Sequence, residues 1–181
     1  MKAITIWQPW ATLLAIGAKK YETRSWATNY RGPIAIHAAN KPYKPIIEEL
    51  PDEVKAALGN YFDFKHEILH TGAIIATAEL VGCWEIAEDP NGPFICRPFF
   101  GDTTDKPDEL IVRGNELLFG DYTLGRYAWE FRNMIMLDKP IPAKGKQRLW
   151  NFDMVSVKKH GAMGKSEVSA FDFIEGSGVN A

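Results

Sequence analysis

Cysteine is scarce in this chain of 181 residues: Cys83 and Cys96 are the only two, and neither belongs to a closely spaced pair. A disulfide framework or a redox motif needs more than this, so we expect a protein of the reducing cytoplasm. Long apolar runs are also missing, since no stretch approaches the ~18 residues that cross a bilayer. The first residues reach polar Gln8 too soon for the apolar part of a signal peptide. We therefore expect no membrane partner.

An excess of positive charge is absent as well. The formal net charge is −2, so the overall charge does not indicate a nucleic-acid-binding protein. The distribution is more informative, because residues 139–148 contain Lys139, Lys144, Lys146 and Arg148 and no acid. A local basic segment binds phosphate even on a mildly acidic protein. The alternative interpretation of this segment is a solvated charged loop.

Short strands and few helices are typical of an α+β, mostly β fold. Alternation predicts an opening strand at 4–6, and Gly17 closes an early short helix that starts after Pro9. Further strands are predicted at 20–26, 34–38, 72–81, 127–137 and 149–157, and appended helices at 46–50 and 52–58. We expect one domain over 1–157, with an irregular acidic insertion near 85–122, and a flexible polar tail over 158–181.

One motif follows the early helix directly. Residues 17–24 read Gly-Ala-Lys-Lys-Tyr-Glu-Thr-Arg, which fits G-x-K-x-x-E-x-R. The segments around it are Ile-Trp-Gln-Pro-Trp-Ala at 6–11, Tyr-Arg-Gly-Pro-Ile-Ala-Ile-His-Ala at 30–38, Gly-Arg-Tyr-Ala-Trp at 125–129 and Pro-Ile-Pro-Ala-Lys-Gly-Lys-Gln-Arg-Leu-Trp-Asn at 140–151. This series, in this order, resembles the ASCH family over roughly 4–38 and 125–153, with a weaker match over 72–84.

The resemblance implies a PUA-like small β-barrel with a cleft floored by Lys19, Glu22 and Arg24. Members of the family bind RNA or DNA, and a few are enzymes, either ribonucleases or amidohydrolases that act on an acetylated cytidine nucleoside. In the amidohydrolases a threonine nucleophile stands where this chain has Glu22. That departure removes the nucleophile, so the resemblance does not transfer the amidohydrolase mechanism.

The chemistry of the three motif residues suits a phosphate or a base. Lys19 is a compact cation, and Arg24 can form a two-pronged contact with a phosphate or a base edge. Glu22 can accept hydrogen bonds from a base amino group or a ribose hydroxyl. The alternative is a structural ion-pair cluster that closes the barrel. Strand parity puts Glu22 and Arg24 on one face, and Lys19 joins them only if the turn after Gly17 reorients it.

Aromatic side chains surround the same segments, and bases stack on exposed rings at roughly 1–3 kcal/mol each. Trp10 and Trp26 border the polar motif, although most tryptophans of a small barrel belong to its core. Gln8 either reads a base edge or caps the helix, and His37 either faces the cleft or is a satisfied internal histidine. The complete predicted nucleic-acid-binding set is Gln8, Trp10, Lys19, Glu22, Arg24, Trp26, Tyr30, Arg31, His37, Lys144 and Lys146. We expect Lys144 and Lys146 to clamp the nucleic-acid backbone near the rim of the cleft.

We therefore expect a module that binds RNA in preference to DNA, or a nucleotide-like ligand, and that uses no cofactor. The alternative is a hydrolase, a ribonuclease or an enzyme of modified nucleosides, in which Lys19, Glu22 and Arg24 are catalytic and the first two serve as general acid and base. Residues 66–70, His-Glu-Ile-Leu-His, fit the H-E-x-x-H pattern of zinc proteases. They run directly into a predicted strand, which leaves little room for the long helix of those enzymes, so we expect no metal site.

The tail is predicted to be dispensable for folding, because residues 158–181 are polar, contain glycine and lack periodicity. Truncation after Lys158 is expected to leave the free energy of unfolding unchanged in chemical denaturation. A loss of several kcal/mol would show that the tail packs on the domain.

Overall fold

The computed structural model describes residues 1–59, 69–87, 95–98 and 110–153, the stretch 95–98 by its backbone alone. The tail and the predicted strand residues 154–157 lie outside these ranges. So do His66 and Glu67 of the zinc-protease pattern.

The strands within the described ranges form one mixed sheet. They are β1 Lys2–Ile6, β2 Tyr21–Arg24, β3 Gly32–Ala38, β4 Ala73–Ala87, β5 Ile95–Pro98, β6 Leu110–Ile111, β7 Tyr127–Pro142 and β8 Leu149–Asn151. Their order is β2-β7-β4-β3-β1-β8, with β5 paired to β4 and β6 to β5. β1 and β3 run parallel, whereas the other pairs are antiparallel. β2 and β8 end this path without pairing to each other, so among the described strands the barrel is loose rather than closed.

Few helices accompany the sheet in the described part of the chain. They are α1 Trp10–Ala15, α2 Lys44–Glu49, α3 Asp52–Gly59 and a 3-10 helix, Gly114–Leu118. This architecture confirms the predicted α+β, mostly β fold of PUA-like type, with an early short helix and appended helices. None of the described helices is long and apolar enough to cross a membrane.

The two faces of the sheet bury different side chains. Ile4 and Ile36 lie in the main core with Leu14 of α1, because alternate residues of a strand share a face. Ala35, on the other face, packs with Trp150 of β8 in a second cluster. Thr5 and His37 lie on this second face, where each contacts Trp150.

Two long strands differ from the predicted limits. β4 continues to Ala87, so residues 85–87 belong to the sheet rather than to the predicted insertion, and β7 continues to Pro142. The two strands stay paired from Ala73 opposite Pro142 to Glu85 opposite Tyr127 through three register shifts. Bulges of this kind break the alternation on which sequence-based limits depend.

The closing strand is shorter than predicted. β8 ends at Asn151, and residues 152 and 153 are not in a strand. β8 pairs only with the first part of β1, from Lys2 opposite Asn151 to Ile4 opposite Leu149. The last residues of β1 therefore face the segment that precedes β8.

Gln8 and the turn after α1 determine where the motif starts. Gln8 Oε1 accepts a hydrogen bond from Thr12 N at 3.1 Å, and Nε2 donates to His70 O at 2.7 Å. Gly17 then adopts a φ of 77°, a left-handed conformation that glycine reaches without steric cost. Lys19 N donates to the carbonyl of Leu13 at 3.0 Å, so the chain folds back beside α1 before β2 begins.

Candidate nucleic-acid interface

Lys19, Glu22 and Arg24 form one chain of ion pairs. Lys19 Nζ lies 3.4 Å from Glu22 Oε2, and Arg24 Nη2 lies 3.2 Å from Glu22 Oε1. Glu22 and Arg24 share a face of β2 as strand parity predicts, and the turn after Gly17 brings Lys19 to the same carboxylate. Two cations thus share one anion, which leaves the set with a net positive charge.

Lys19 is the most enclosed member of this set. Its side chain is 1% exposed, compared with 10% for Glu22 and 24% for Arg24. Lys19 Nζ also donates a hydrogen bond to the carbonyl oxygen of Phe119. Because protein groups already surround the ammonium, Lys19 holds the set together, and Arg24 is the member that presents most surface to solvent.

The end of the predicted acidic insertion covers the motif. The carboxylate of Glu116 accepts hydrogen bonds from Lys20 N at 3.0 Å and from Tyr21 N at 3.1 Å. Phe119, which supplies the carbonyl to Lys19, is itself buried between α1 and α3. These contacts fix the backbone of β2 at the point where the ion-pair chain begins.

Arg24 joins the motif to the end of β1. Its Nη2 donates to the carbonyl oxygen of Thr5 at 2.7 Å, in addition to its ion pair with Glu22. Both contacts use the same nitrogen, so the guanidinium is held at one corner. Its Nε is buried, with no hydrogen-bond partner in the described part of the chain.

Thr5 also holds the basic loop, which we define as residues 143–148. Thr5 Oγ1 donates to Lys146 O at 2.9 Å and accepts from Trp150 Nε1 at 3.2 Å. The side chains of Lys144 and Lys146 are exposed. One residue of β1 therefore contacts both Arg24 and the basic loop, and brings them close together.

Arg148 ties the basic loop to the aromatic residues that follow the motif. Its guanidinium carbon lies 5.5 Å from the centroid of the Trp26 ring, within the range of a cation–π contact. Trp26 in turn packs edge-on against Trp129, with ring centroids 4.6 Å apart. Trp10 and Trp26 are both partly buried, as their position beside the polar motif predicts.

His37 lies beneath the basic loop rather than in an open cleft. It is 1% exposed, and its Nε2 donates to Ala143 O at 2.9 Å, because a carbonyl oxygen only accepts. Nδ1 is buried with no partner among the described residues. Burial lowers the pKa of His37 below its ordinary 6.5, and the bond to Ala143 offsets part of that effect. The ring therefore supports the loop in its neutral form.

Gly145 allows the basic loop to approach that ring. A Cβ added at Gly145 would lie 2.4 Å from Cε1 of His37, 2.7 Å from its Nδ1 and 2.9 Å from Thr5 Oγ1. No side chain fits at such distances, so a glycine between the two exposed lysines is a packing requirement.

Three other predicted residues are held by their own surroundings. Gln8 is 2% exposed and holds α1, which favours capping over contact with a base. The hydroxyl of Tyr30 donates to Pro33 O at 2.6 Å, and burial raises the pKa of Tyr30. Arg31 Nη1 donates to the carbonyl oxygens of Thr28 and Tyr30. Contact of these residues with nucleic acid stays a prediction.

The zinc-protease pattern is described only at its second histidine. His70 is exposed, and its carbonyl oxygen accepts a hydrogen bond from Gln8. Within the described ranges, no three side chains of His, Cys, Asp or Glu cluster as metal ligands would. Independence from zinc stays a prediction.

Sequence reasoning missed the residues that assemble the site. In the sequence, Thr5 is only one polar position of an alternating strand. Arg148 belongs to the basic segment, and the sequence does not indicate that it contacts Trp26. The signal for Gly145 is its place between two lysines, because a glycine at such a position allows the backbone to approach another group closely. Long-range contacts of this kind leave no periodic pattern in a sequence.

Substitution of Gly145 by alanine is expected to destabilise the domain by about 1–3 kcal/mol, the usual cost of overpacking a filled site. Gly59→Ala is the matched control, since an added Cβ there meets nothing within 4 Å. Chemical denaturation measures both variants. Equal stabilities for Gly145→Ala and the wild type would contradict the close packing on His37.

The stability of the domain is expected to fall as the pH drops below about 6.5, the ordinary pKa of histidine. The unfolded chain binds a proton at His37 near that value, whereas the folded state, with its lowered pKa, stays neutral to lower pH. Acid therefore favours unfolding, with a slope of up to about 1.4 kcal/mol per pH unit for one proton. His37→Gln, which keeps a donor but does not titrate, is expected to flatten the profile, and parallel profiles would contradict the prediction.

Comparison with known proteins identifies the family. The family model of the ASCH domain matches residues 4–141, well over half of the chain. Activating signal cointegrator 1 of Homo sapiens is 28% identical over 123 residues, which cover 61% of this chain and 20% of that protein. The protein of the same name from Mus musculus is 32% identical over 123 residues, with the same shares. The chain thus spans about a fifth of the length of the curated relatives that it matches.

The matched range contains the ion-pair motif, Thr5 and His37, and it ends two residues before the basic loop. The order of segments, the open PUA-like sheet and the match agree. This chain belongs to the ASCH domain family.

Proposed function

We propose that the protein is a nucleic-acid-binding module that takes RNA in preference to DNA, and that Arg24 and the basic loop form its phosphate-binding surface. The observation that carries this proposal is the pair of hydrogen bonds from Thr5, whose carbonyl accepts from Arg24 and whose hydroxyl donates to Lys146 O. Two basic segments more than a hundred positions apart in sequence meet there. Several cations that lie close together suit a phosphate backbone best as their ligand.

Arg24 is the specific element of this surface. Its guanidinium is oriented at one corner by Glu22 and Thr5, and a planar cation held in this way is suited to a two-pronged contact with a phosphate or a base edge. Because Glu22 neutralises only one of its two cationic neighbours, the set keeps a positive charge that attracts phosphate.

The basic loop supplies charge without sequence preference. Lys144 and Lys146 are exposed ammonium groups on a backbone that His37 and Thr5 hold in place. Lysines of this kind bind phosphates as point charges and release counterions when they do so. Trp26, with Arg148 at its ring, adds an aromatic surface beside the basic loop.

The preference for RNA follows from the resemblance to PUA-like modules, and the geometry around Lys19 favours binding over hydrolysis. Lys19 Nζ is enclosed and already bonded to a carboxylate and a carbonyl, so it is not open to a substrate. Each carboxylate oxygen of Glu22 is paired with a cation, so neither oxygen is open to a substrate. We expect no efficient release of acetate from acetylcytidine and no efficient cleavage of RNA by the wild-type protein.

Lys144→Ala and Lys146→Ala are each expected to weaken binding to short single-stranded RNA roughly uniformly across sequences. Each loss of a phosphate contact lowers the slope of log affinity against log salt by about one. Fluorescence anisotropy over a range of salt concentrations measures both effects.

The matched control for these lysines is Lys55→Ala, which removes the same charge from α3 on a partly exposed side chain. If Lys55→Ala weakens binding as much as the loop variants, the effect is one of net charge and not of a site. Absence of any RNA or DNA binding at low salt would contradict the proposed function.

Arg24→Ala is expected to cost about 1–3 kcal/mol of binding free energy if the guanidinium reads a base edge, more than either loop lysine. Arg24→Lys keeps the charge and loses the planar fork, so it separates the two roles of the residue. Affinities for several RNA sequences are compared after thermal unfolding shows that both variants fold. A uniform loss across all sequences, equal for Lys and Ala, would restrict Arg24 to a structural role.

A further inference from the structure

Trp7 differs from the other tryptophans in its exposure. All six tryptophans lie within the described residues, and Trp7 is 53% exposed, whereas each of the others is buried or partly buried. Large aromatic rings on a surface mark binding sites more often than isolated exposed leucines do, because their burial contributes more free energy. The candidate set inferred from the sequence did not include this residue.

The backbone on both sides of Trp7 is fixed. The carbonyl of Ile6 accepts from Ala39 N at 2.8 Å, and the carbonyl of Trp7 accepts from Ala11 N at 3.0 Å. Gln8, the next residue, is buried with both ends of its side chain hydrogen-bonded. The exposed ring is therefore presented from a rigid base, so that little backbone entropy is lost when a ligand binds it.

A cation lies at the same ring. Lys41 Nζ is 4.5 Å from the centroid of the Trp7 ring, a cation–π distance. Both side chains are exposed. A flat aromatic surface beside an ammonium matches a ligand that has a flat base and a phosphate, which is the composition of a nucleotide.

We propose that Trp7 and Lys41 form a stacking site for an unpaired nucleobase of a bound strand, with Lys41 at its phosphate. This inference rests on the proposed function and extends its surface. Thr5, which joins Arg24 to the basic loop, is two residues from Trp7, so their Cα atoms are at most about 7 Å apart. A strand bound along Arg24 and the loop would therefore pass close to the backbone that carries Trp7.

The test compares two probes of equal length, a short oligouridylate and the oligomer with the same phosphates and no bases. Trp7→Ala is expected to weaken binding of oligouridylate about 5- to 150-fold, the loss that corresponds to one stacked base. The same variant leaves the affinity for the abasic oligomer and the salt slope unchanged. Trp7→Phe retains most of the affinity, and Lys41→Ala lowers the salt slope by about one.

Each other outcome overturns the inference in a recognisable way. If Trp7→Ala binds oligouridylate like the wild type while the loop variants bind it less well, the stacking site is wrong and the proposed function stands. If Trp7→Ala loses affinity equally for both probes, the role of Trp7 is to stabilise the fold. If Trp7→Ala keeps its affinity for oligouridylate but no longer self-associates in sedimentation, the ring binds a second copy of the chain. If the wild type binds neither probe at low salt, both proposals fall.

Discussion

The hydrogen bonds of Thr5 determine where the charged parts of this molecule meet. Its carbonyl and hydroxyl lie just beyond the residues of β1 that β8 covers, and both are used by groups from distant parts of the chain. A main-chain carbonyl holds Arg24, and a side-chain hydroxyl holds the loop that carries the lysines. Loss of the hydroxyl would remove the bond between the loop and β1 and leave the bond from Arg24 to the carbonyl intact. Thr5 is thus the junction between the ion-pair motif and the basic loop.

The ion-pair motif combines a structural and a binding role, and burial divides the two. Lys19 is enclosed, and its contacts with Glu22 and Phe119 offset part of the free energy that its desolvation costs. Arg24 shares the same carboxylate and stays partly open. The structural ion-pair cluster and the ligand-binding cleft are therefore not exclusive alternatives. Lys19, the enclosed cation, stabilises the Glu22 carboxylate, and that carboxylate orients the partly open Arg24.

Much of the fold was predictable from local patterns, because α1, β3 and α3 have regular periodicity and clear end signals. The grouping of Glu22 with Arg24 followed from strand parity, and Lys19 required only the turn at Gly17. The extension of β4 and β7 was not predictable, since their bulges interrupt alternation. The packing of Gly145 on His37 was not predictable either, because it joins residues far apart in sequence and depends on a distance rather than a residue type.

The hairpin of β5 and β6 extends the end of β4, and its length can change without moving the residues of the ion-pair motif. β5 is paired to β4 and β6 to β5, while Glu116 and Phe119 fasten the returning chain to the motif. Connections between elements that are already paired can lengthen at small cost, about 0.6 kcal/mol for each doubling in length. A change in the length of this hairpin would therefore leave the start of β2 in place, because Glu116 and Phe119 bond to Tyr21 and Lys19.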